Sequence, residues 1–315
     1  MSAPFKLDVA IPLYNEENVI PELLRRVRAV LDGIPGGPHR IVVVDDGSSD
    51  RSWQILEAAA ATDDRILGVA LSRNFGHQAA LTAALDHADG DAVVVMDGDL
   101  QDAPEAIPAL LERYHEGHDV VYAQRTKRKE AWPLRLSYFL FYRLFARLAE
   151  RQLPLDAGDF AVLSARVVRE LRKMPEHHRY LRGLRGWVGF RQTGVVVERS
   201  ERFAGQSKYG PIKLLKLAFD GIFAFSIVPL RAAAALGVST VAMAGAFTLY
   251  ALYRKIMLDE SPRGFTALLT LGTFLAGMNL FFLGVIGEYI GRIYEEVKRR
   301  PLYVISKTTG GGSDG

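Results

Sequence analysis

Two long uncharged segments near the C-terminus constrain the fold more than any other feature of the sequence. Residues 232–253 and 264–287 contain no Asp, Glu, Lys or Arg. As helices rising 1.5 Å per residue they would be about 33 and 36 Å long, enough to cross a hydrocarbon core of roughly 30 Å. Buried core helices are the alternative, but globular helices seldom stay apolar on every side over such a length. We therefore predict two transmembrane spans, at about 230–253 and 264–287.

The ten residues 254–263 between these runs are too few for a domain, so the two spans should form a hairpin. The N-terminus has no basic region followed by a long apolar run, so no secretory signal peptide is evident. After the second run, Lys298, Arg299 and Arg300 supply the positive charge expected of a cytoplasmic flank. We expect a multi-pass membrane protein whose N-terminal part and both termini lie in the cytoplasm.

Charge is distributed unevenly along the chain. The 315 residues contain 39 Lys and Arg against 36 Asp and Glu, a formal net charge of +3. Residues 1–201 carry 26 of the basic and 29 of the acidic side chains, and residues 202–315 carry 13 and 7. This pattern fits a soluble part followed by a lipid-facing part, with no nucleic-acid partner expected. The sequence contains no cysteine, which excludes disulfides, zinc fingers, thiol catalysis and iron–sulfur ligation.

Before the apolar runs, short apolar segments alternate with helical patterns. The strand-like segments are residues 6–11, 40–45, 66–71 and 92–97, and the helical patterns are residues 17–31, 51–61 and 77–88. This alternation predicts an α/β domain with a mainly parallel sheet covered on both faces. Ligands of such sheets bind beyond the carboxyl ends of the strands. The loops that should form the site are therefore 12–17, 45–50, 72–77 and 97–104.

The fourth loop contains the most specific chemical signal. Asp97 and Asp99 flank a glycine directly after a predicted strand, and Gln101 follows two residues later. Oxygen ligands in this arrangement suit Mg²⁺ or Mn²⁺ bridging a diphosphate. The alternative is a pair of acids that only form a turn. Asp50 in the second loop has a similar alternative, as the N-cap of the following helix.

Several motifs, in this order, resemble those of glycosyltransferase family 2. They are PLYNEE, VVVDDGSSD, SRNFGHQAA, MDGDLQDAP, GDFAVLSARVV and RFAGQSKYGPIKLLKLAFDGI. The closing GEYIGRIYEEVKRRPLYV resembles one branch of the family, the polyprenyl-phosphate glycosyltransferases, similar to bactoprenol glucosyltransferases and dolichol-phosphate mannose synthases. The resemblance covers nearly the full chain. It implies a GT-A catalytic domain, which is Rossmann-like with a mainly parallel sheet, followed by membrane helices.

The resemblance also implies roles for individual residues. The implied nucleotide-binding residues are Pro12, Tyr14, Glu16, Asp45, Asp46, Arg73 and Asp97, with Asp46 as a close alternative to Asp45. The D-x-D element falls on Asp97 and Asp99, with Gln101 as a third metal ligand, which implies Mg²⁺ or Mn²⁺ as cofactor. Asp99 and Asp159 are the implied catalytic residues. A lipid phosphate is already an anionic nucleophile and needs no general base. The role of Asp159 is therefore left open between general base and positioning group. The alternative to any catalytic role is that Asp159 is a loop acid bonded to backbone amides.

An anionic acceptor requires cations to hold it. The resemblance implies that Arg125, Arg135, Arg202 and Lys208 bind phosphate groups, Arg125 and Arg135 on the lipid and the other two on the donor. The guanidinium group matches phosphate oxygens in bidentate geometry. The spacing around Arg135 follows the family less closely than that around Arg125. An ordinary surface cation is the alternative for each of the four residues.

The predicted organisation has four parts. Residues 1–210 form a cytoplasmic catalytic domain, in which residues 134–149 form an amphipathic interfacial helix. The other parts are a second interfacial helix at 211–226, a transmembrane hairpin at 227–290 and a cytoplasmic C-terminal tail at 291–315. The last eight residues, from 308 onward, have the composition of a flexible tail.

The expected function is transfer of a sugar from a nucleotide-sugar to polyprenyl phosphate, with inversion at the anomeric carbon. UDP-glucose is favoured as donor over GDP-mannose, the acceptor is undecaprenyl or dolichyl phosphate, and the location is a bacterial inner membrane. Relatives of this type also suggest a homo-oligomer such as a tetramer. A processive polysaccharide synthase is the first alternative. Such enzymes carry a Q-x-x-R-W element, and the nearest string in this sequence, RGLRGW at 182–187, lacks the glutamine. A non-catalytic nucleotide-binding membrane protein is the second.

Overall fold

The computed structural model describes residues 4–125, 157–177, 179–197, 228–258 and 264–309. They divide into two compact units, one containing the residues up to 197 together with 301–309, and the other containing 228–258 and 264–300. The predicted interfacial helices at 134–149 and 211–226 lie outside the described residues. The predicted domain limits therefore stay predictions.

An eight-stranded sheet forms the centre of the first unit. Its strands are β1 (Leu7–Leu13), β2 (Arg40–Asp45), β3 (Ile66–Leu71), β4 (Ala92–Val95), β5 (Val120–Arg125), β6 (Ala157–Ser164), β7 (Gln192–Val197) and β8 (Ile305–Thr308). Their order across the sheet is β7-β5-β6-β4-β1-β2-β3-β8. Strands β4, β1, β2 and β3 are parallel, as are β5 and β7, whereas β6 is antiparallel to β4 and β5, and β8 is antiparallel to β3. The predicted α/β class with a mainly parallel sheet is confirmed.

The central strands are apolar along their whole length because helices cover both faces of the sheet. All seven residues of β1 are buried. Alternate side chains of a strand point to opposite faces. Val9 and Ile11 accordingly belong to one hydrophobic core, while Ala10 belongs to a second core on the other side of the sheet.

Six α-helices belong to the sheet unit within the residues that the structure describes. They are α1 (Ile20–Asp32), α2 (Ser52–Ala60), α3 (His77–Asp86), α4 (Ile107–His115), α5 (Ala165–Arg172) and α6 (Leu181–Val188). Helix α1 buries Ile20, Leu23, Leu24, Val27 and Leu31, which share one face at the 3.6-residue period. The first three helices and the four strands of the alternating pattern all occur where the sequence predicts them.

The C-terminal segment contributes strand β8 to the edge of the sheet, which the sequence did not predict. Thr308 pairs with Val69 of β3, and the Thr309 amide donates to the Gly68 carbonyl at 2.8 Å. The expectation of a flexible tail from residue 308 is therefore wrong for these two threonines. The segment satisfies backbone groups on the outer edge of β3 that a strand edge would otherwise expose.

The second unit contains two long helices, α7 (Val228–Leu258) and α8 (Phe265–Val297). Each contains a window long and apolar enough to cross a membrane, at Ala233–Tyr250 and Phe274–Val297. Only 6% of the first window and none of the second is buried within the protein. Such exposure is unfavourable in water and is what a lipid environment accommodates. The two helices overlap the predicted spans, and α8 continues ten residues beyond the predicted end at 287.

Candidate active site

Four loops follow the carboxyl ends of the neighbouring parallel strands β4, β1, β2 and β3. The register of β1 and β2 pairs Leu13 with Asp45, so the first and second loops start side by side. The Met96 amide donates to the Ala10 carbonyl at 3.2 Å, which brings the fourth loop to the end of β1. The four loops that were predicted to form the site therefore lie along one edge of the sheet, where parallel sheets bind their ligands.

Side-chain hydrogen bonds hold the first and second loops together. The Asn15 amide donates to Ser48 Oγ at 2.9 Å, and Asn15 Oδ1 accepts from the Ser49 amide at 2.8 Å. Asp50 accepts from the Glu17 amide at 3.2 Å and from the Ser52 amide at 2.9 Å. Asp50 thus bridges the two loops and bonds the first amide of α2, although the N-cap position of that helix is Arg51 and not Asp50 as the capping alternative expects.

The paired acids of the second loop have different partners. Asp45 accepts hydrogen bonds from the amide and hydroxyl of Ser48 within its own loop. Asp46 accepts from the Phe75 amide at 2.7 Å and from the Gly76 amide at 2.9 Å, so it fixes the third loop. Burial raises the pKa of both carboxyls, and these hydrogen bonds partly offset that effect.

The antiparallel strand β6 brings a second acid to the fourth loop. Val95 pairs with Ala161, and continuing this register by two residues sets Asp97 opposite Asp159. His77, the first residue of α3, completes the group. Ligand atoms of His77, Asp97 and Asp159 all lie within 4.8 Å of one another, and His77 Nε2 is 3.6 Å from Asp97 Oδ1. Two carboxylates and an imidazole at this separation can ligate one divalent cation.

The electrostatics of Asp97 also fit a cation site. Burial raises the pKa of Asp97 to about 6; His77 opposes this increase, while Asp159, Asp102 and Asp99 add to it. The ionised carboxylates repel one another at neutral pH, and a bound cation would relieve this repulsion. Gly98 allows the fourth loop to lie close to the end of β1, because a Cβ atom there would lie 3.1 Å from the Pro12 carbonyl oxygen and 2.1 Å from Leu13 Cδ2.

The other two predicted metal ligands are bonded to each other. The Gln101 amide donates to Asp99 Oδ1 at 3.1 Å, across a turn in which Leu100 has a φ of 57°. The structure groups Asp97 with His77 and Asp159, whereas the sequence grouped it with Asp99 and Gln101. The roles of Asp99 and Gln101 as metal ligands stay predictions.

Asp159 is held by a bidentate ion pair. Arg182 Nε donates to Asp159 Oδ1 at 2.6 Å and Nη2 donates to Oδ2 at 2.5 Å. Burial alone would raise the pKa of Asp159, but the Arg182 hydrogen bonds, together with the charges of Arg182, Arg185 and His77, hold it below its usual range. Asp159 is therefore ionised at neutral pH and is a poor proton acceptor.

Arg185 supports the same strand from within the core. Its side chain is only 2% exposed, and its Nη2 and Nη1 donate to the backbone carbonyls of Gly158 at 2.9 Å and Asp159 at 3.3 Å. Burial lowers the pKa of Arg185 to about 10, so the guanidinium stays charged at neutral pH. Helix α6 therefore fixes both the side chain and the backbone of Asp159.

The remaining predicted residues are distributed around this edge. Pro12 is buried in β1, Tyr14 is 45% exposed, and the Glu16 amide donates to Ser52 Oγ at 3.0 Å. The Arg73 guanidinium lies 4.0 Å from the centre of the Phe75 ring. Arg125 ends β5, but its side chain is not among those described, and Arg135, Arg202 and Lys208 lie outside the described residues.

Three residues of the site were not predicted from the sequence: His77, Arg182 and Arg185. A histidine at the end of a strand-end loop was the available signal for His77. The arginines belong to RGLRGW, whose sequence signal is a partial match to the Q-x-x-R-W element of processive synthases. Their contact with Asp159 depends on the packing of α6 against β6, which sequence spacing does not reveal.

Known proteins resemble this chain over most of its length. Residues 8–172 match the family model described as Glycosyl transferase family 2. The uncharacterized glycosyltransferase YkcC of Bacillus subtilis is 42% identical over 98% of this chain and 96% of its own length. The SfII prophage-derived bactoprenol glucosyl transferase of Shigella flexneri is 38% identical over 96% of this chain and 98% of its own. Among solved structures, a glucosyl-3-phosphoglycerate synthase of Mycobacterium tuberculosis is similar with a TM-score of 0.48, at 20% identity over 68% of this chain and 76% of its own.

Proposed function

Because this chain belongs to glycosyltransferase family 2, we propose that it transfers a hexose from a nucleotide-sugar to polyprenyl phosphate with inversion at the anomeric carbon. The observation that carries the proposal is the group of His77, Asp97 and Asp159 at the carboxyl end of the sheet. Near full-length similarity to bactoprenol glucosyl transferases favours UDP-glucose as donor and undecaprenyl phosphate as acceptor. GDP-mannose and dolichyl phosphate are the less favoured pair.

The reaction requires one bond to form as another breaks. An oxygen of the lipid phosphate attacks the anomeric carbon from the face opposite the nucleotide. The bond from that carbon to the diphosphate breaks, and the leaving nucleoside diphosphate takes the electron pair. The phosphate nucleophile is already ionised, so no general base is needed, and the lowered pKa of Asp159 agrees with this. We assign Asp159 the role of positioning the sugar, with Arg182 holding its carboxylate in place.

A divalent cation, when bound, supplies Lewis-acid stabilisation of the leaving diphosphate. Asp97, His77 and Asp159 are the residues best placed to hold it, and Asp99 and Gln101 are predicted to add oxygen ligands. Both Mg²⁺ and Mn²⁺ accept carboxylate oxygens. Mg²⁺ is a hard cation that takes oxygen ligands, so a contribution from the His77 imidazole would favour Mn²⁺.

Substituting His77→Ala is expected to weaken Mn²⁺ binding about tenfold or more, because one of three converging ligands is lost. The affinity is measured by electron paramagnetic resonance of Mn²⁺ titrated into the full-length protein in detergent, without nucleotide. His118→Ala, at a partly exposed loop position outside the metal cluster, is the matched control. An unchanged Mn²⁺ affinity in the His77 variant would rule out this ligand.

The acceptor is a lipid, which fits the two exposed apolar helices α7 and α8. We propose that they form a hairpin in a bacterial inner membrane, with the catalytic unit and both termini in the cytoplasm. Arg125, Arg135, Arg202 and Lys208 are proposed to hold the phosphate groups of the acceptor and the donor. A tetrameric assembly is part of the same proposal.

A donor screen tests the proposed substrate class. Purified full-length protein is given undecaprenyl phosphate, Mn²⁺ or Mg²⁺, and one of several labelled nucleotide-sugars, and the lipid extract is counted. Label should enter the lipid fraction with one donor well above the others, and UDP-glucose is the expected one. Preference for a GDP-sugar would overturn the assignment of the nucleotide. Label in an insoluble polymer would favour a processive synthase.

A further inference from the structure

The C-terminal segment 302–309 contacts the third loop of the site at its beginning. The Ser72 amide, directly after β3, donates to the Val304 carbonyl at 2.8 Å. Strand β8 then pairs with β3 through Leu71 and Ile305, Ala70 and Lys307, and Val69 and Thr308, with a register irregularity between Ala70 and Leu71. The residues that lead into the third loop are therefore held from outside by the end of the chain.

Gly68 of β3 allows the C-terminal segment to approach the strand closely. Its amide donates to Thr309 Oγ1 at 2.7 Å, and a Cβ atom on Gly68 would lie 2.8 Å from that oxygen. A glycine inside a strand often marks a close approach of another part of the chain. Here the approaching group is the hydroxyl of Thr309.

The same segment also holds the far end of α3, the helix that begins at His77. Tyr303 Oη donates to Asp86 Oδ2 at 2.8 Å, and Asp86 is the last residue of α3. Tyr303 and Phe75 of the third loop pack against the same hydrophobic core. Burial, followed by the hydrogen bond to Asp86, raises the pKa of Tyr303, so its hydroxyl stays a donor at neutral pH.

Within the site, the third loop is fixed at its other end by Asp46, which accepts from the amides of Phe75 and Gly76. His77 follows immediately, beside Asp97. The loop 72–76 is thus held by Val304 at its start and by Asp46 at its end. The helix after it is held by Tyr303.

We propose that residues 302–309 position the loop 72–76 and His77 for binding of the nucleoside diphosphate part of the donor. The end of the chain, which follows the two apolar helices, is then a positioning element of the donor site. This inference rests on the proposed function, since it concerns the same nucleotide site.

The double variant Tyr303→Phe with Thr309→Val removes the side-chain hydrogen bonds to Asp86 and to the Gly68 backbone with little change of side-chain shape. Binding of UDP and of GDP, each with Mn²⁺, is measured by calorimetry on the full-length protein in detergent. We expect the dissociation constant of the bound nucleotide to rise about fivefold to tenfold. Thr62→Val, which removes an exposed side-chain hydrogen bond to the Ala59 carbonyl outside the segment 302–309, is the matched control and should bind as the wild type does.

Hydrogen exchange on the nucleotide-free protein provides a second measurement. The amides of Phe75 and Gly76 should exchange faster in the double variant than in the Thr62 control, while those of β1 should not change. Unchanged exchange at the loop, or unchanged nucleotide affinity with faster exchange throughout the sheet, would overturn the proposal and leave β8 a purely structural strand. Failure of the wild type to bind either nucleotide would count against the proposed function, and the loop exchange rates would then decide the positioning role alone.

Discussion

Substituting Asp97→Asn is expected to lower the rate of sugar transfer by about a hundredfold or more while leaving the protein folded. Asp97 lies 3.6 Å from His77 Nε2, and its ligand atoms are within 4.8 Å of those of His77 and Asp159. Removing its charge removes a ligand for the proposed cation and the stabilisation of the leaving diphosphate. Losing one preorganised electrostatic contact of this kind lowers kcat by about a hundredfold to a thousandfold. Initial rates with the preferred donor and undecaprenyl phosphate measure the effect.

The fold should tolerate this change because Asp97 is not stabilised by an ion pair with Arg or Lys among the described residues. Burial and the neighbouring Asp159, Asp102 and Asp99 all disfavour its ionised form. A neutral asparagine of the same shape should therefore leave the unfolding temperature of the metal-free protein unchanged or raise it. Asp64→Asn, at an exposed position, is the control for loss of one negative charge. Activity near the wild-type level in the Asp97 variant would contradict the assigned role.

Substituting Arg182→Met is expected to lower both stability and activity. It leaves the carboxylate of Asp159, whose side chain is only 13% exposed, without its bidentate partner. Breaking a buried ion pair on one side costs about 3 kcal/mol or more in the free energy of unfolding. Partial exposure of Arg182, at 29%, places the expected loss at the lower end of that range. Chemical denaturation of the full-length protein in detergent measures it.

The double variant Arg182→Met with Asp159→Asn separates the two effects. It removes both charges, so most of the lost stability should return, whereas activity should stay low because Asp159 is needed to position the sugar. The pKa of Asp159 lies below its usual range when Arg182 is present, so the pair stabilises the fold at neutral pH. That contribution should be lost as the pH falls through the lowered pKa. Recovered activity in the double variant would show that Asp159 has no direct role.

The sequence predicts those parts of the site that depend only on the local order of strands and loops. The strands with continuous apolar residues and the polar loops after them locate Asp45, Asp46, Asp97 and the third loop correctly. Parallel strands bring their carboxyl ends to one edge by geometry alone. No further contact information is needed to reach that level of detail.

The remaining parts depend on contacts between residues far apart in sequence. Asp97 and Asp159 meet because β6 is antiparallel to β4, a register that no local pattern specifies. His77 reaches them because Asp46 fixes the loop before it. Strand β8 was missed for a similar reason: its partner, β3, lies more than two hundred residues earlier, and Thr309 and Gly68 reveal their pairing only in the fold.

If this site moves a sugar onto a lipid phosphate, glycosylated lipid and free nucleoside diphosphate must form together. Purified wild-type protein and the Asp97→Asn variant are incubated with labelled nucleotide-sugar, undecaprenyl phosphate and Mn²⁺, and both products are quantified. We predict equal amounts of glycosylated lipid phosphate and free nucleoside diphosphate with the wild type, and formation of both slower by about a hundredfold or more with the variant. Label remaining in the aqueous phase with every donor, or equal transfer by the variant, would contradict the account.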